Sequence, residues 1–304
     1  MRRLSIFLLL LAILSCNNYE KPDTEGYEAA NYASFKRDSV KYVFDRINAQ
    51  QRYSYYIQYL PIRKIGKLQV FQGDIIINSN IESGRGIDSM ILDSEIVQPY
   101  KMIGVSPLSK ERLWPRHEVR YVISENDDTK ERISSIRQAI AAWRNLGIIF
   151  TELPEPSGDC IIFNVDRSHQ FNLSPIGRVK GSQNIILRKD VSTGSIMHEI
   201  GHSLGLWHEH CRPDRDQHIT IITANIAPSD LKEFKPIAAA YSYYLTNYDF
   251  NSIMHYDPYA FGKRGSDGKA MITIQTKPAG KIIGQRSAPS ELDRAGIRSM
   301  YNLP

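Results

Sequence analysis

The alternation of apolar and polar positions predicts a set of short strands in the last two thirds of the chain. Residues 119–123 alternate between the two classes, as expected of a strand with one buried face. Residues 148–153, 160–165 and 184–188 are short and rich in apolar residues, and we predict a strand in each. One predicted helix precedes the last three of these strands and another follows them, and this pattern indicates an α+β fold.

Helices are predicted where apolar positions recur every three or four residues behind a capping residue. The clearest of them begins at Asp128, has Glu131 three residues later as a capping partner, and ends before Gly147. The apolar face of this helix consists of Ile133, Ile136, Ile140 and Trp143. The other predicted helices are one that begins near Ser192 or Thr193, one over much of residues 224–240, and one over residues 289–301.

The first third of the chain carries weaker patterns. Apolar positions recur at helical spacing over residues 35–48, which predicts a helix, and residues 68–77 are strand-like on both sides of a central glycine. Residues 78–107 show no strong periodicity, and we predict an exposed connector there, of the kind in which proteolytic nicking concentrates. We take this connector as the boundary between two functional parts, residues 16–104 and residues 105–304.

Composition and charge narrow the range of partners. The chain has 304 residues, of which 42% are hydrophobic and 23% charged, as in ordinary soluble globular proteins. The formal net charge of +5 is small for this length, and the basic residues are scattered rather than clustered. We therefore expect no nucleic-acid partner.

The beginning of the sequence resembles a bacterial lipoprotein signal. Arg2 and Arg3 precede an apolar run over residues 6–14 that is too short to span a membrane, and the sequence Ile-Leu-Ser-Cys at its end resembles a lipobox. Residues 1–15 would then be the signal peptide, and Cys16 would carry the lipid that anchors the exported protein to a membrane, in the periplasm or at the cell surface. An ordinary signal peptide with an incidental cysteine is the alternative, and both imply export.

The two remaining cysteines leave two alternatives open. In an oxidising compartment, a disulfide between Cys160 and Cys211 would pin the segment around Cys211 to a strand. The other alternative is two buried free thiols.

The largest cluster of candidate functional residues lies in a run that begins at His198 and reads His-Glu-Ile-Gly-His-Ser-Leu-Gly-Leu-Trp-His-Glu. His198 and His202 are four positions apart, so they lie one turn above each other on one helix face and can share a metal ion. Gly205 can adopt the positive φ that ends the helix and turns the chain back, which makes His208 a third ligand. Three imidazoles leave a position open for water, as in a catalytic zinc site, and Glu199 is placed to accept a proton from that water.

This run resembles the zinc motif of the metzincin peptidases. Together with Ser-Ile-Met-His-Tyr at residues 252–256, it resembles the astacin family of zinc endopeptidases, and three shorter sequences at residues 212–216, 248–251 and 283–286 resemble that family too. The resemblance covers residues 113–301. It implies a metzincin or zincin-like catalytic domain with a twisted mixed sheet and a zinc-binding helix, one Zn²⁺ per chain, and protein or peptide substrates.

The resemblance also implies roles for individual residues. Met254 would form a tight turn beneath the metal, the Met-turn. Tyr256 would be a fifth zinc ligand that swings away to hydrogen-bond the oxyanion. Glu199 would act as general base and then as proton shuttle, and Glu209 would form a salt bridge with the new N-terminus that activation creates near residue 105.

The sequence Phe-Gln-Gly-Asp at residues 71–74 resembles a motif of astacin propeptides in which an aspartate occupies the position of the water on the zinc. Asp74 would then be a metal ligand in the latent form only, and Gly73 would let the backbone approach the metal. Residues 16–104 would thus comprise a tether and an inhibitory propeptide. An activating protease that cuts the connector would release the catalytic domain, residues 105–304, from the lipid anchor.

Five charged or titratable residues near these motifs receive weaker predictions. His210, His218 and His255 are predicted to be surface or supporting residues, because the site already has three imidazoles. Lys263 and Arg264 either favour acidic substrate side chains or are solvated surface charges.

Two rival functions remain. A catalytically idle surface lipoprotein that binds protein or glycan could keep the same fold, but it would need neither Glu199 nor Tyr256. A gluzincin-type peptidase would need a glutamate as its third ligand, which His208 at the metzincin spacing disfavours. Chelator-sensitive hydrolysis of casein, compared with the variant Glu199→Ala, separates the enzyme from the binding protein.

Overall fold

The computed structural model of the protein describes residues 39–47, 53–61, 63–65, 68–78, 112–237 and 246–304. The strands are β1 (Ser39–Ile47), β2 (Tyr53–Pro61), β3 (Arg63–Ile65), β4 (Leu68–Phe71), β5 (Ile75–Asn78), β6 (Glu118–Ile123), β7 (Ile149–Glu152), β8 (Cys160–Val165), β9 (Ser174–Pro175), β10 (Ser182–Leu187), β11 (Ile219–Ile221) and β12 (Ile274–Thr276). The α-helices are α1 (Asp127–Lys130), α2 (Ile133–Arg144), α3 (Thr193–Leu204) and α4 (Glu291–Tyr301). Within these stretches, no helix has the length and apolar character needed to cross a membrane. The predicted signal and almost all of the predicted connector lie outside the described residues.

Four parallel strands form the central sheet, in the order β10-β8-β6-β7. In β8 the side chains of Ile161, Phe163 and Val165, which share one face of the strand, are buried in the core. An antiparallel bridge between Leu173 and Ile186 continues the pairing beside β10. The α+β fold with a mixed sheet is therefore confirmed.

Helices α2 and α3 pack together over this sheet. The apolar face of α2 consists of the buried residues Ile136, Ala139, Ile140 and Trp143. The indole N–H of Trp143 also donates to the carbonyl of Met197, 2.9 Å away, and so ties α2 to α3. Because α3 carries two of the predicted zinc ligands, this contact helps to position them.

The last helix, α4, is connected to the segment of the predicted Met-turn through one buried carboxylate. The hydroxyl of Ser290 accepts the main-chain N–H of Asp293 at 2.8 Å, and the Asp293 carboxylate accepts the N–H of Ser290 at 2.9 Å, which completes a capping box. The same carboxylate accepts the hydroxyl of Ser252 at 2.6 Å and the N–H of Ile253 at 2.8 Å. Asp293 therefore both completes the cap of α4 and holds residues 252–253.

A three-stranded segment from the first part of the chain pairs with the second part. Strands β3, β4 and β5 are antiparallel neighbours, and β5 continues the sheet by pairing in parallel with β9. The turn between β4 and β5 has φ of 49° at Gln72 and 83° at Gly73. Glycine adopts such values without strain, so its presence suits this turn. We call residues 63–78 the β3–β5 segment.

The predicted strands are confirmed with shifts of one or two residues at their ends, but the helix predicted over residues 35–48 is wrong. Residues 39–47 form strand β1, which pairs with β2. Apolar residues in this segment satisfy two periods at once, because Val40, Tyr42 and Phe44 also alternate. β-Branched and aromatic residues favour strands, and pairing with β2 decides the outcome.

Two predicted helices also differ in detail. The cap of the first is Asn126, whose side chain accepts the N–H of Thr129 at 2.8 Å, while Asp128 pairs with Arg167 instead. Helix α2 then begins separately at Ile133. Within residues 223–237 the structure has two 3-10 turns rather than an α-helix, Thr223–Asn225 and Pro228–Phe234. Proline lacks the N–H that a continuous helix would need at that point.

Candidate active site

Three histidines meet at one point beside α3. Ser192 caps the helix and Gly205 ends it with φ of 112°, both as predicted. The chain then returns so that Nε2 of His208 lies 3.3 Å from Nε2 of His198, which itself lies 3.1 Å from Nε2 of His202. All three rings are buried.

Hydrogen bonds on the far side of each ring determine its tautomer. Nδ1 of His198 lies 2.8 Å from the carbonyl oxygen of Ile253, and Nδ1 of His202 lies 2.8 Å from that of Leu206. Nδ1 of His208 lies 3.1 Å from a side-chain amide oxygen of the β3–β5 segment. Because each Nδ1 faces an oxygen acceptor, it carries the ring proton, and each Nε2 presents a lone pair to the shared point. Burial lowers the pKa of His198 to about 3 and that of His208 to about 4, so these rings are neutral at neutral pH.

The carboxylate of Asp74 is directed at the same point. Its Oδ2 lies 3.3 Å from Nε2 of His198, and its Oδ1 lies 3.1 Å from Nε2 of His208 and 3.6 Å from Nε2 of His202. Ligand atoms of these four residues all lie within 4.8 Å of one another. Neutral imidazole nitrogens and a carboxylate oxygen are donors that zinc prefers. A cation between them would accept the lone pairs that face each other and so relieve their repulsion. The four residues therefore fit a zinc ion.

Glu199 lies next to the first of these histidines in α3. Its side chain is buried, and its Oε2 has no hydrogen-bond partner in the part of the chain that the structure describes. Burial, together with the nearby carboxylate of Asp74, raises the pKa of Glu199 well above its usual value. Since buried carboxyl groups are normally hydrogen-bonded, an unpartnered one beside candidate metal ligands indicates a functional group.

The turn that carries Asp74 also engages Tyr256. The hydroxyl of Tyr256 donates a short hydrogen bond to the main-chain carbonyl of Gln72. The side chain of Gln72 is held at both ends, because its amide donates to the carbonyl of Lys235 at 2.9 Å and its oxygen accepts Nδ1–H of His208. In this structure Tyr256 therefore binds the turn, and its role as a fifth metal ligand stays a prediction.

Met254 packs directly against the ligand-bearing helix. Its side chain is buried, and a Cβ built on Gly201 of α3 would lie 2.6 Å from its sulfur. Its carbonyl accepts the N–H of Glu209 at 3.1 Å, just beyond the third histidine. Met254 thus packs against the ligand-bearing helix with a glycine opposite it, and its role as a Met-turn residue stays a prediction.

Glu209 is buried behind the site. Its carboxylate accepts the N–H of Asp249 at 2.8 Å and lies 3.3 Å from the guanidinium of Arg212, and burial raises its pKa to about 8. A small cavity beside it is also lined by Asp249 and Asp293. The predicted salt bridge involves a new N-terminus near residue 105, which lies outside the described residues, so it stays a prediction.

Two of the three flanking histidines belong to the interior rather than the surface. The ring of His210 stacks on Tyr256, with centroids 3.9 Å apart and planes 24° apart, and its Nε2 bonds to the carbonyl of Glu233 at 3.1 Å. His255 accepts the hydroxyl of Tyr248 at its Nε2, at 2.7 Å. Both are completely buried. The sequence carries no signal for these contacts beyond the closeness of the histidines to the two motifs.

Both cysteines in the described residues, Cys160 and Cys211, are buried free thiols, so the alternative that predicted a disulfide between them is wrong. The sulfur of Cys160 lies 3.5 Å from the hydroxyl of Ser182, across the pair β8 and β10. The thiol of Cys211 donates to the carbonyl of His208 at 2.8 Å. Each sulfur is packed among its own neighbours, one within the sheet and one behind the third histidine.

The geometry of the site agrees with the comparisons of this sequence with known proteins. Residues 107–302 match the family model described as Astacin (Peptidase family M12A). Tolloid-like protein 1 of Mus musculus is 32% identical over 204 residues, which are 64% of this chain and 19% of that protein. Astacin-like metalloendopeptidase of Gallus gallus is 30% identical over 239 residues, which are 76% of this chain and 56% of that protein. The chain therefore spans between 19% and 56% of the length of these curated relatives.

A solved structure is similar as well. High choriolytic enzyme 1, a hatching enzyme zinc-protease from Oryzias latipes (Medaka fish), superposes with a TM-score of 0.53 at 25% sequence identity. The superposition covers 68% of this chain and 99% of that chain.

Proposed function

The chain belongs to the astacin family, peptidase family M12A, and we propose that it is a zinc-dependent endopeptidase made as a latent zymogen. One observation carries the proposal: the carboxylate of Asp74, from the first part of the chain, faces Nε2 of His198, His202 and His208 in the second part. A catalytic zinc needs a coordination position that protein ligands leave open. A carboxylate directed at that position supports both a metal site and its blockade.

The residues around the three histidines are suited to peptide hydrolysis. Zinc held by them would supply Lewis acidity toward water and toward the peptide carbonyl. Glu199, buried and with a raised pKa, is suited to accept a proton from the attacking water and to deliver it to the leaving amine. Tyr256 already donates a hydrogen bond to a carbonyl oxygen, and it would donate to the substrate carbonyl as negative charge develops there.

Three contacts of the β3–β5 segment would keep the intact chain latent. Asp74 faces the metal ligands, the carbonyl of Gln72 engages Tyr256, and the carbonyl of Asp74 accepts the N–H of Ser174 in β9 at 2.9 Å. Cleavage of the connector by an activating protease would allow this segment to leave. The new N-terminal ammonium would then enter the acidic cavity beside Glu209, where a buried carboxylate favours a cation.

The test uses the full chain purified with zinc, before and after limited proteolysis within residues 79–111. We expect casein hydrolysis only after cleavage, its loss with a chelator, its return with added zinc, and a fall of about 10³-fold or more in Glu199→Gln. The uncut variant Asp74→Ala should hydrolyse casein without cleavage. A cleaved chain that holds one zinc and hydrolyses nothing would favour the idle binding protein, and a folded chain without zinc would contradict the proposal.

We also propose that the protein is exported and anchored through a lipid on Cys16. The basic, apolar and lipobox segments of residues 1–16 support this proposal. Activation would then release residues 105–304 from the membrane, because the anchor belongs to the part that is cut away. Metabolic labelling with a fatty acid should follow the fragment before the cut, and label on the fragment after it would overturn the proposal.

A further inference from the structure

An arginine of the β3–β5 segment is seated in an acidic recess of the second part of the chain. Nη2 of Arg63 lies 2.7 Å from Oδ1 of Asp230 and 3.0 Å from Oε1 of Glu233, and its Nε lies 3.2 Å from the same Oε1. Its Cζ lies 5.7 Å from the centroid of the Phe261 ring. We call Asp230, Glu233 and Phe261 the acidic recess. It offers a guanidinium two carboxylates and an aromatic face.

The acidic recess borders the residues that surround Tyr256. The carbonyl of Glu233 bonds to His210, whose ring stacks on Tyr256. The rings of Phe261 and Tyr256 have centroids 5.8 Å apart. A Cβ built on Gly73, next to the residue that faces the metal ligands, would lie 2.8 Å from Cζ of Phe261. The acidic recess therefore lies beside the groups that a peptide bound at the metal ligands would pass, although Arg63 itself reaches it from the neighbouring strand β3.

Activation would take the guanidinium away and leave the carboxylates. Arg63 lies in the part of the chain that the proposed cleavage removes, whereas the acidic recess stays. The side chain of Glu233 is only 2% exposed, and burial raises its pKa, while the charge and hydrogen bonds of Arg63, and after them the charge of Lys232, act in the opposite direction. A buried carboxylate that loses its hydrogen-bonding cation is costly, so the vacated recess favours another cationic side chain.

We propose that the acidic recess is a substrate subsite for an arginine or lysine side chain close to the scissile bond, and that Arg63 occupies it in the latent chain as an internal mimic. This subsite rests on the proposed peptidase function and specifies its substrates as basic peptides. Arginine should be preferred over lysine, because its planar guanidinium can bond both carboxylates and lie against the ring of Phe261.

The alternative that the sequence leaves open, a preference for acidic side chains at Lys263 and Arg264, has less support. The ammonium of Lys263 donates to the carbonyl of Ala224 at 2.9 Å, and the guanidinium of Arg264 donates to the carbonyl of Gly268 at 2.9 Å. Both side chains are exposed. Glu233 of the acidic recess, by contrast, is buried and connected to Tyr256 through the ring of His210.

The first experiment profiles cleavage of a peptide library by the zinc-loaded full chain, activated by trypsin that is afterwards inactivated covalently. We expect arginine, and after it lysine, to be enriched at one position near the scissile bond. In Glu233→Gln, kcat/KM for an arginine peptide relative to its alanine counterpart should fall about tenfold or more, because a charged hydrogen bond is lost. Asp230→Asn should give a smaller fall, and the exposed control Glu155→Gln should give none.

The second experiment needs no enzyme variant, so a folding defect cannot obscure it. A synthetic peptide of residues 60–78 is tested for binding to the activated wild-type enzyme, with Arg63 intact or replaced by lysine or alanine. We expect the Kd to rise about tenfold or more for Arg63→Ala and less for Arg63→Lys. Failure of the activated enzyme to cleave any peptide would overturn the peptidase function itself. Cleavage without a basic preference, or with one that Glu233→Gln leaves unchanged, would overturn only the subsite.

Discussion

The phenol of Tyr256 and the main-chain carbonyl of Gln72 are joined by a hydrogen bond between residues 184 positions apart. Two residues after Gln72, the carboxylate of Asp74 faces the three histidines. A turn of three residues therefore engages the candidate metal ligands and the candidate oxyanion donor together. Gly73 lies between the two contacts, so its backbone conformation determines whether both can form.

Replacement of Gly73 by alanine should weaken latency. Its φ of 83° is strained for alanine, and the added Cβ would lie 2.8 Å from Cζ of Phe261. We expect a cost of about 1–3 kcal/mol to the arrangement in which the turn blocks the site, and hence a roughly 5- to 150-fold increase in casein hydrolysis by the uncut chain. The control is Gly268→Ala, which has a similar φ of 76° but no atom within 4 Å of the added Cβ. Equal latency in both variants would contradict the prediction.

The variant Tyr256→Phe should keep zinc and lose turnover. Without the hydroxyl, the developing oxyanion loses a hydrogen-bond donor, so we expect kcat of the activated enzyme to fall about 10²-fold. Zinc content should be unchanged, since the three histidines and their hydrogen-bonding partners remain. Tyr259→Phe, at an exposed tyrosine nearby, serves as the control and should retain full activity. Steady-state kinetics and elemental analysis together check the prediction, which would be wrong if kcat stayed within a factor of two or three.

Asp293→Ala should destabilise the fold more than an ordinary surface change. The substitution removes hydrogen bonds to the hydroxyl of Ser252 and to the N–H groups of Ile253 and Ser290, and it breaks the capping box of α4. We expect the free energy of unfolding to fall by about 2–4 kcal/mol, measured by urea denaturation. Glu291→Ala, at an exposed residue in the first turn of the same helix, should change it by less than about 0.5 kcal/mol.

The pair of Asp159 and Arg178 should give a pH-dependent contribution to stability. Burial acts to raise the pKa of Asp159, but the N–H of Gly181 and the hydrogen bond and charge of Arg178 outweigh it, so the pKa is lower than usual. A carboxyl group whose pKa is lower in the folded chain stabilises it above the unfolded pKa of about 3.9 and loses this contribution as the pH falls through the folded pKa.

We therefore expect Asp159→Asn to lower the free energy of unfolding by about 1 kcal/mol at pH 7. The difference from the wild type should shrink steadily below about pH 4. Urea denaturation between pH 7 and pH 3 checks this expectation, with Asp190→Asn, at an exposed ion pair with Arg188, as the control that changes little at any pH. A difference that stays constant with pH would show that the charge of Asp159 is not involved.

The part of the site that is predictable from the sequence is the part with local causes. The spacing of His198 and His202 is fixed by helix geometry, and Gly205 determines where the helix ends and His208 returns. Strand β6 is predictable for a similar reason, since alternation indicates one buried face, and the other strands of the central sheet are predictable as short segments rich in apolar residues. The helix predicted over residues 35–48 is wrong because a short segment can satisfy both periods, and only pairing with β2 selects the strand.

The remaining contacts of the site join residues that are far apart in the sequence, and no local pattern indicates which residues will meet. Arg63 and Glu233 are 170 positions apart, and neither stands out among the charged residues around it. The motif of residues 71–74 includes Gln72, but its contacts with Tyr256 and His208 depend on how the turn enters the site. Burial of His210 likewise follows from the stacking of Tyr256, a tertiary contact.

A hydrogen-bonded connection runs from α4 to the first metal ligand, because Asp293 holds the N–H of Ile253 and the carbonyl of Ile253 holds Nδ1 of His198. The orientation of the His198 imidazole thus depends on Asp293, which is translated 95 residues later. While a nascent chain is still being synthesised, its histidines have already emerged but this support has not. The three histidines can therefore adopt the described arrangement only late in translation. By then the turn that carries Asp74 has already been synthesised and can block the site as soon as it forms.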